Sequence, residues 1–316
     1  MRALGLMAAT MLTAGMFAPG SGHAIIYGEP DCGPSGCAHP SVVMLGGLLS
    51  GTTGDPYFCS GTLIQRTADH YLFLTAGHCT EHWGRRIEDG VYASVGVSFD
   101  PVVEREDLAD GTPFMNQDQF AAGGVPVTHP DFAPNWHAWN LMWDYGIVSV
   151  PSAAIEAKWP EATTVPVTTL AFEVGLRLED LVAASGQPQK NLLFYSVGYG
   201  MTELLDQGSN AGGPNDWLSG LGTRRIADRQ TFSNLRKTLM QASQNWALGN
   251  NGTCGGDSGG PTYYQTTSGP VVVGVTSSGD AMCRSTQTSA RMDVETAAWF
   301  VGCAREHPGD VKSCGF

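Results

Sequence analysis

A chain of 316 residues has room for two barrel-sized domains, and its 42% hydrophobic content supports a sizeable core and argues against global disorder. Its formal net charge of −13 works against non-specific contact with nucleic acid or an anionic membrane. With 41 Gly, 18 Pro and only 15% charged residues, it suits short strands joined by tight turns better than a helical bundle.

The chain opens with Arg2, an apolar or small stretch over 3–17, and the helix breakers Pro19, Gly20, Ser21 and Gly22. Gly22 and Ala24 are the small residues expected before a cut after Ala24, so 1–24 reads as a secretory signal peptide. A membrane anchor is the rival, but the run is too short to span a bilayer comfortably and no other stretch is long enough. The expectation is a secreted protein, extracellular or periplasmic. Eight cysteines, at 32, 37, 59, 79, 254, 283, 303 and 314, then predict disulfides. Zinc is the alternative, but there is no CxxC pair, and Cys32 and Cys37 have no matching Cys or His pair.

Residues 25–40 are a Gly/Pro/Cys-rich lead-in. Strand-like runs follow at 41–47, 59–64, 71–75, 92–99 and 146–151, each short, β-branched or aromatic, and bounded by Gly, Pro or Asp. Residues 152–191 read as the connection between halves. Further strands are predicted at 192–197, 237–242 and 270–277, with long loops at 100–128 and 201–234. Asp293 is placed to cap a helix with Val294, Ala297, Ala298 and Val301 on one face. The reading is all-β with a C-terminal helix.

Three segments carry chemistry. In Cys254-Gly255-Gly256-Asp257-Ser258-Gly259-Gly260-Pro261 the glycines let a substrate carbonyl approach the serine and let backbone N–H groups converge on an oxyanion. In Leu74-Thr75-Ala76-Gly77-His78-Cys79 an apolar strand ends in small residues and presents a histidine, the side chain suited to taking and returning a proton near neutrality. In Trp143-Asp144-Tyr145-Gly146-Ile147-Val148 an aspartate opens an apolar strand, where burial demands a hydrogen-bond partner such as an imidazole N–H.

Together these segments resemble the chymotrypsin/trypsin family of serine proteases, in that family's order His…Asp…Ser. Cys59-Ser60-Gly61-Thr62-Leu63-Ile64, His129-Pro130, Val197-Gly198-Tyr199-Gly200 and Gly274-Val275-Thr276-Ser277-Ser278-Gly279 resemble its flanking strands. The resemblance implies two packed antiparallel six-stranded β-barrels with the active site between them: a first barrel over 25–150, and a second with the C-terminal helix over 151–316. It implies a serine endopeptidase with His78, Asp144 and Ser258 as the triad and the N–H groups of Gly256 and Ser258 as the oxyanion hole. Ser277 would support Asp144, and Gly252, Thr253, Ser277 and Gly279 would bind substrate. It further implies disulfides joining Cys59 with Cys79 and Cys254 with Cys283, leaving Cys32 with Cys37 and Cys303 with Cys314. A terminus freed at Ile25 would pair with Asp257.

The resemblance also implies that the residue two before Cys254 lies at the base of the primary pocket; here it is Gly252 rather than an acidic residue, and Gly279 would leave the pocket wall open, so an uncharged, bulky apolar P1 residue is expected. The partners expected are protein or peptide substrates, with no cofactor, metal, nucleic acid or membrane, and the family default is a monomer. Trp136, Trp139, Leu141 and Trp143 are either an apolar subsite or core packing. The sequon at Asn251 is read as unused, and Glu104, Glu106, Asp107 and Asp110 as a solvated acidic loop rather than a calcium site. The competing functions are a catalytically silent binding protein and a narrow processing protease.

Overall fold

The computed structural model describes residue 25 and residues 28–132, 142–202 and 220–315. The expected signal peptide, Trp136, Trp139 and Leu141 lie outside the described residues. Three two-residue strands lead in: β1 (Glu29–Pro30), β2 (Cys32–Gly33) and β3 (Gly36–Cys37). The first barrel is built from β4 (Val42–Leu49), β5 (Phe58–Arg66), β6 (His70–Thr75), β7 (Tyr92–Ser98), β8 (Ala121–Thr128) and β9 (Gly146–Pro151). It closes in the order β4-β5-β6-β9-β8-β7. Its strands bury consecutive residues, such as Val42 to Leu45 and Tyr71 to Leu74, because both faces are covered.

Helix α1 (Gly77–Glu88) interrupts this barrel. The connection over 152–191 carries the short helices α2 (Ser152–Lys158), α3 (Leu178–Ala184) and α4 (Pro188–Asn191). The second barrel comprises β10 (Leu193–Gly198), β11 (Arg225–Leu235), β12 (Leu239–Ser243), β13 (Pro261–Thr266), β14 (Gly269–Gly279) and β15 (Thr286–Arg291). Pairing of β11 with β12 closes the order β11-β10-β13-β14-β15-β12, so the molecule is two antiparallel six-stranded barrels. Two segments expected as loops are corrected here: 121–128 and 225–235 are barrel strands, while β13 and β15 join them without having been anticipated.

Helix α5 (Glu295–Glu306) follows, burying Ala297, Phe300, Val301 and Ala304. Asp293 is not its cap. Val294 holds that position, and Asp293 instead binds the buried Arg291 guanidinium through both carboxylate oxygens and accepts the Leu178 N–H at 2.8 Å.

The two ends of the chain cross over. β1 pairs with β11, and buried Asp31 accepts Arg224 Nε at 2.9 Å, so the lead-in belongs to the second barrel. The tail packs on the first: Gln65 Nε2 donates to the Arg305 carbonyl at 3.1 Å, Arg305 Nη2 to the Ile64 carbonyl at 2.9 Å, and Ser149 Oγ to the Pro308 carbonyl at 2.5 Å. The expected division at 150/151 falls at the last residue of β9, and the segments that complete each barrel lie across it. Disulfides join Cys32 to Cys37, Cys59 to Cys79, Cys254 to Cys283 and Cys303 to Cys314.

Candidate active site

β6 ends at Thr75 and α1 begins at Gly77, which places His78 in the first turn of the helix; Cys79 beside it is tied to Cys59 on β5. The chain enters the site on the other side through Trp143, held in the left-handed region at φ +58, and then Asp144, just ahead of β9. Asp144 is fully buried and satisfied three times. Its Oδ1 accepts the His78 backbone N–H at 2.8 Å, and its Oδ2 accepts His78 Nδ1 at 2.9 Å and Ser277 Oγ at 2.5 Å. A carboxylate only accepts, so this arrangement places the ring proton on Nδ1 and leaves Nε2 as the basic nitrogen. Burial disfavours a charged His78, but the attraction and hydrogen bond of Asp144 outweigh it, and the ring's pKa is raised above the ordinary value.

Ser258 is half-buried on the loop before β13, and both barrels hold that loop. Its carbonyl accepts the Ser60 N–H at 2.8 Å from the first barrel. Next to it, the Gly259 N–H donates to the Thr276 carbonyl at 2.7 Å, and the Thr276 N–H returns to the Gly260 carbonyl at 2.9 Å. A Cβ on Gly259 would sit 2.0 Å from Thr75 Oγ1, so only glycine lets the loop press against the strand that delivers His78. The Gly255 carbonyl accepts the Met201 N–H at 2.8 Å. In a trans peptide the N–H points opposite to the C=O, so the Gly256 N–H faces away from Met201. Gly256 adopts φ +93, which that turn requires.

A family model for trypsin matches residues 132–299. The chain belongs to the trypsin family. It is a serine-type endopeptidase acting on protein or peptide substrates. No curated protein matches the chain significantly. The match takes in Asp144, Ser258 and the whole second barrel, while His78 lies ahead of it and is placed by the geometry above.

Asp257, which precedes the serine, is fully buried. Burial pushes its carboxyl up to about 7, although the N–H groups of Cys254 and Gly200, at 2.8 and 2.7 Å, pull it back. Among the described residues no cation pairs with it. Ile25 is buried, with its carbonyl accepting the Gly28 N–H at 2.6 Å, and no bond joins it to Asp257.

Beside the serine loop, Gln244, a residue for which the sequence carries no signal, fills the space next to Gly252. Asn251 is buried, its Nδ2 donating to Asp228 at 2.6 Å and its Oδ1 accepting the Arg229 N–H at 2.9 Å, so its amide is engaged within the fold. Trp143 is half-buried against the core. In the acidic loop Arg105 pairs with Asp107 at 2.6 Å. The sulfurs of Cys59 and Cys79 approach His78 at ligand spacing, but they are bonded to each other and offer no thiolate.

Proposed function

We propose that Ser258 is the nucleophile, His78 the general base and acid, and Asp144 the residue that orients His78 in peptide-bond hydrolysis. The observation that carries this is the doubly bonded pair of Asp144 and His78, at the seam where the Ser258 loop is anchored to both barrels. Ser258 Oγ bonds to the scissile carbonyl carbon while its proton passes to His78 Nε2, and the carbonyl electron pair moves onto oxygen. The N–H groups of Gly256 and Ser258 receive that oxyanion. Collapse breaks the C–N bond, the leaving amine takes the proton from His78, and water then repeats the sequence on the acyl-enzyme. The raised pKa of His78 reflects an imidazolium stabilised by Asp144, the species that exists midway.

The activation pair extends the reading: an ammonium freed at Ile25 would give buried Asp257 the cation it lacks among the described residues. The P1 residue is uncharged, with Gly252 in place of an acid. Four disulfides suit an exported protein, and no described helix is long and apolar enough to cross a membrane. The acidic surface suits a monomer that does not engage nucleic acid or anionic membrane.

Intact mass before and after a fluorophosphonate tests the triad. One adduct on the wild type and none on Ser258→Ala is expected. No adduct on a trimmed, fully oxidised chain would overturn the proposal in favour of a binding protein. An extra residue before Ile25 should depress activity strongly, and an unchanged rate would remove the activation pair.

A further inference from the structure

By the family resemblance, the P1 side chain of a peptide whose carbonyl sits at Ser258 enters between residues 252–256, which lead into the serine, and residues 277–280 at the end of β14, where Gly252 and Gly279 both face Gln244. The disulfide of Cys254 with Cys283 and the bond from the Gly259 N–H to the Thr276 carbonyl at 2.7 Å tie the two sides of that space together. Its floor is occupied. A Cβ on Gly252 would lie 2.2 Å from both Cβ and Oε1 of Gln244, the residue that follows β12. Gln244 is 1% exposed and Thr253 5%, so solvent does not reach past the amide.

The Gln244 side chain is pinned at both ends. Oε1 accepts the Thr253 N–H at 3.0 Å, and Nε2 donates to Asp280 Oδ1 at 3.4 Å. Asp280 is itself fixed by the N–H groups of Arg284, Ser285 and Thr286 at 3.1, 2.7 and 2.8 Å. The amide therefore bridges floor and wall, and swinging it aside would break two hydrogen bonds in a buried site, where unpaired polar groups are costly. Asp280 keeps its negative charge, but its oxygens are spent on these four donors, which a cationic side chain would have to displace to bind it.

We propose that Gln244 is the specificity-determining residue of the primary pocket. It closes the floor that Gly252 leaves open, so the enzyme takes small uncharged P1 residues of the Ala, Ser, Thr and Val class and rejects aromatic and cationic ones. This rests on the reading of Ser258 as nucleophile and replaces the bulky P1 residue expected from the sequence.

The test is a peptide series differing only at P1 (Ala, Val, Leu, Phe, Lys), with kcat/KM normalised to active sites titrated by a fluorophosphonate. The wild type should favour Ala or Val over Phe and Lys by at least about tenfold, as a pocket one side-chain layer too shallow requires. Gln244→Ala should raise the Phe-to-Ala ratio by about 10- to 100-fold. Gln244→Leu, which refills the space without the amide, should keep the wild-type order. A wild-type preference for Phe or Lys, an unchanged ratio in Gln244→Ala, or a Gln244→Leu variant that favours Phe would each overturn the proposal. Titratable sites with the wrong P1 order would sink the pocket alone; no titratable site in the wild type would bring down the Ser258 reading with it.

Discussion

The two barrels share a strand count and a closure but differ in the polar network that the second buries beside its apolar residues. The first buries Leu45, Leu63, Phe73, Val97, Val127 and Ile147 on its strands. The second buries Ser196, Gln230, Thr262, Gln287 and Ser289 on its own and bonds them to one another. Ser196 Oγ donates to Gln230 Oε1 at 2.8 Å, Gln287 Nε2 to Thr262 Oγ1 at 2.9 Å, and Thr262 Oγ1 meets Ser289 Oγ at 2.9 Å, while Gln230 and Gln287 are paired directly. Apolar contacts are non-directional and tolerate small slips, whereas a hydrogen-bonded network is satisfied in only one register. Gln287 Nε2 also reaches Thr276 Oγ1 at 3.3 Å, and the Thr276 backbone holds the glycines after Ser258. The buried polar network of the second barrel thus reaches the backbone that holds the loop after Ser258.

Perturbing each barrel in turn tests that difference. The largest effect is expected at the proposed nucleophile: Ser258→Ala should lower kcat by about 10⁶ with unfolding unchanged, read by peptide hydrolysis and thermal melting together. Asp144→Asn should cost about 10⁴. It should also move the acid limb of kcat/KM to lower pH, because His78 is protonated as pH falls through a pKa that Asp144 now raises; an unmoved limb would mean that Asp144 does not act through His78. Phe73→Ala in the apolar barrel should destabilise by about 3–5 kcal/mol in denaturant titration, from lost burial and a residual cavity.

Asp257 gives a pH-dependent stability of comparable size. In a chain with an extra residue before Ile25, folding favours the protonated carboxyl. Below the ordinary value of 3.8 both folded and unfolded chains hold the proton. As pH rises to about 7 the unfolded chain loses it first, so stability falls by on the order of 4 kcal/mol. Asp257→Asn should flatten that fall, and a freed Ile25 ammonium should reverse it. Smallest is Gln287→Leu, which leaves Gln230 and Thr262 short of partners and should cost about 1–3 kcal/mol. If it costs nothing, the polar interior is not what holds the second barrel.

The same contrast explains what could be read from the sequence. The first barrel announces itself, since strands such as β6 are apolar runs with clear ends, although β8 hides behind Gly123, Gly124 and Pro126, which read as a loop. In the second barrel β11 and β15 place Gln230, Gln287 and Ser289 indoors, so a polarity pattern files them as surface. His78, Asp144 and Ser258 were legible because their chemistry needs particular neighbours at fixed offsets. Gln244 was not, since it meets Gly252 and Asp280 only through the pairing of β12 with β15 and the reach of the Asp280 turn.

The exchange of chain ends between the barrels bears on when this protein can become a protein at all. The first barrel lacks its contacts with Arg305 and Pro308 until those residues have been made, and the lead-in, made early, has no partner until β11 follows it about 195 residues later. Each barrel is therefore completed by a segment from the far side of the other, so the two cannot finish folding one after the other as independent beads.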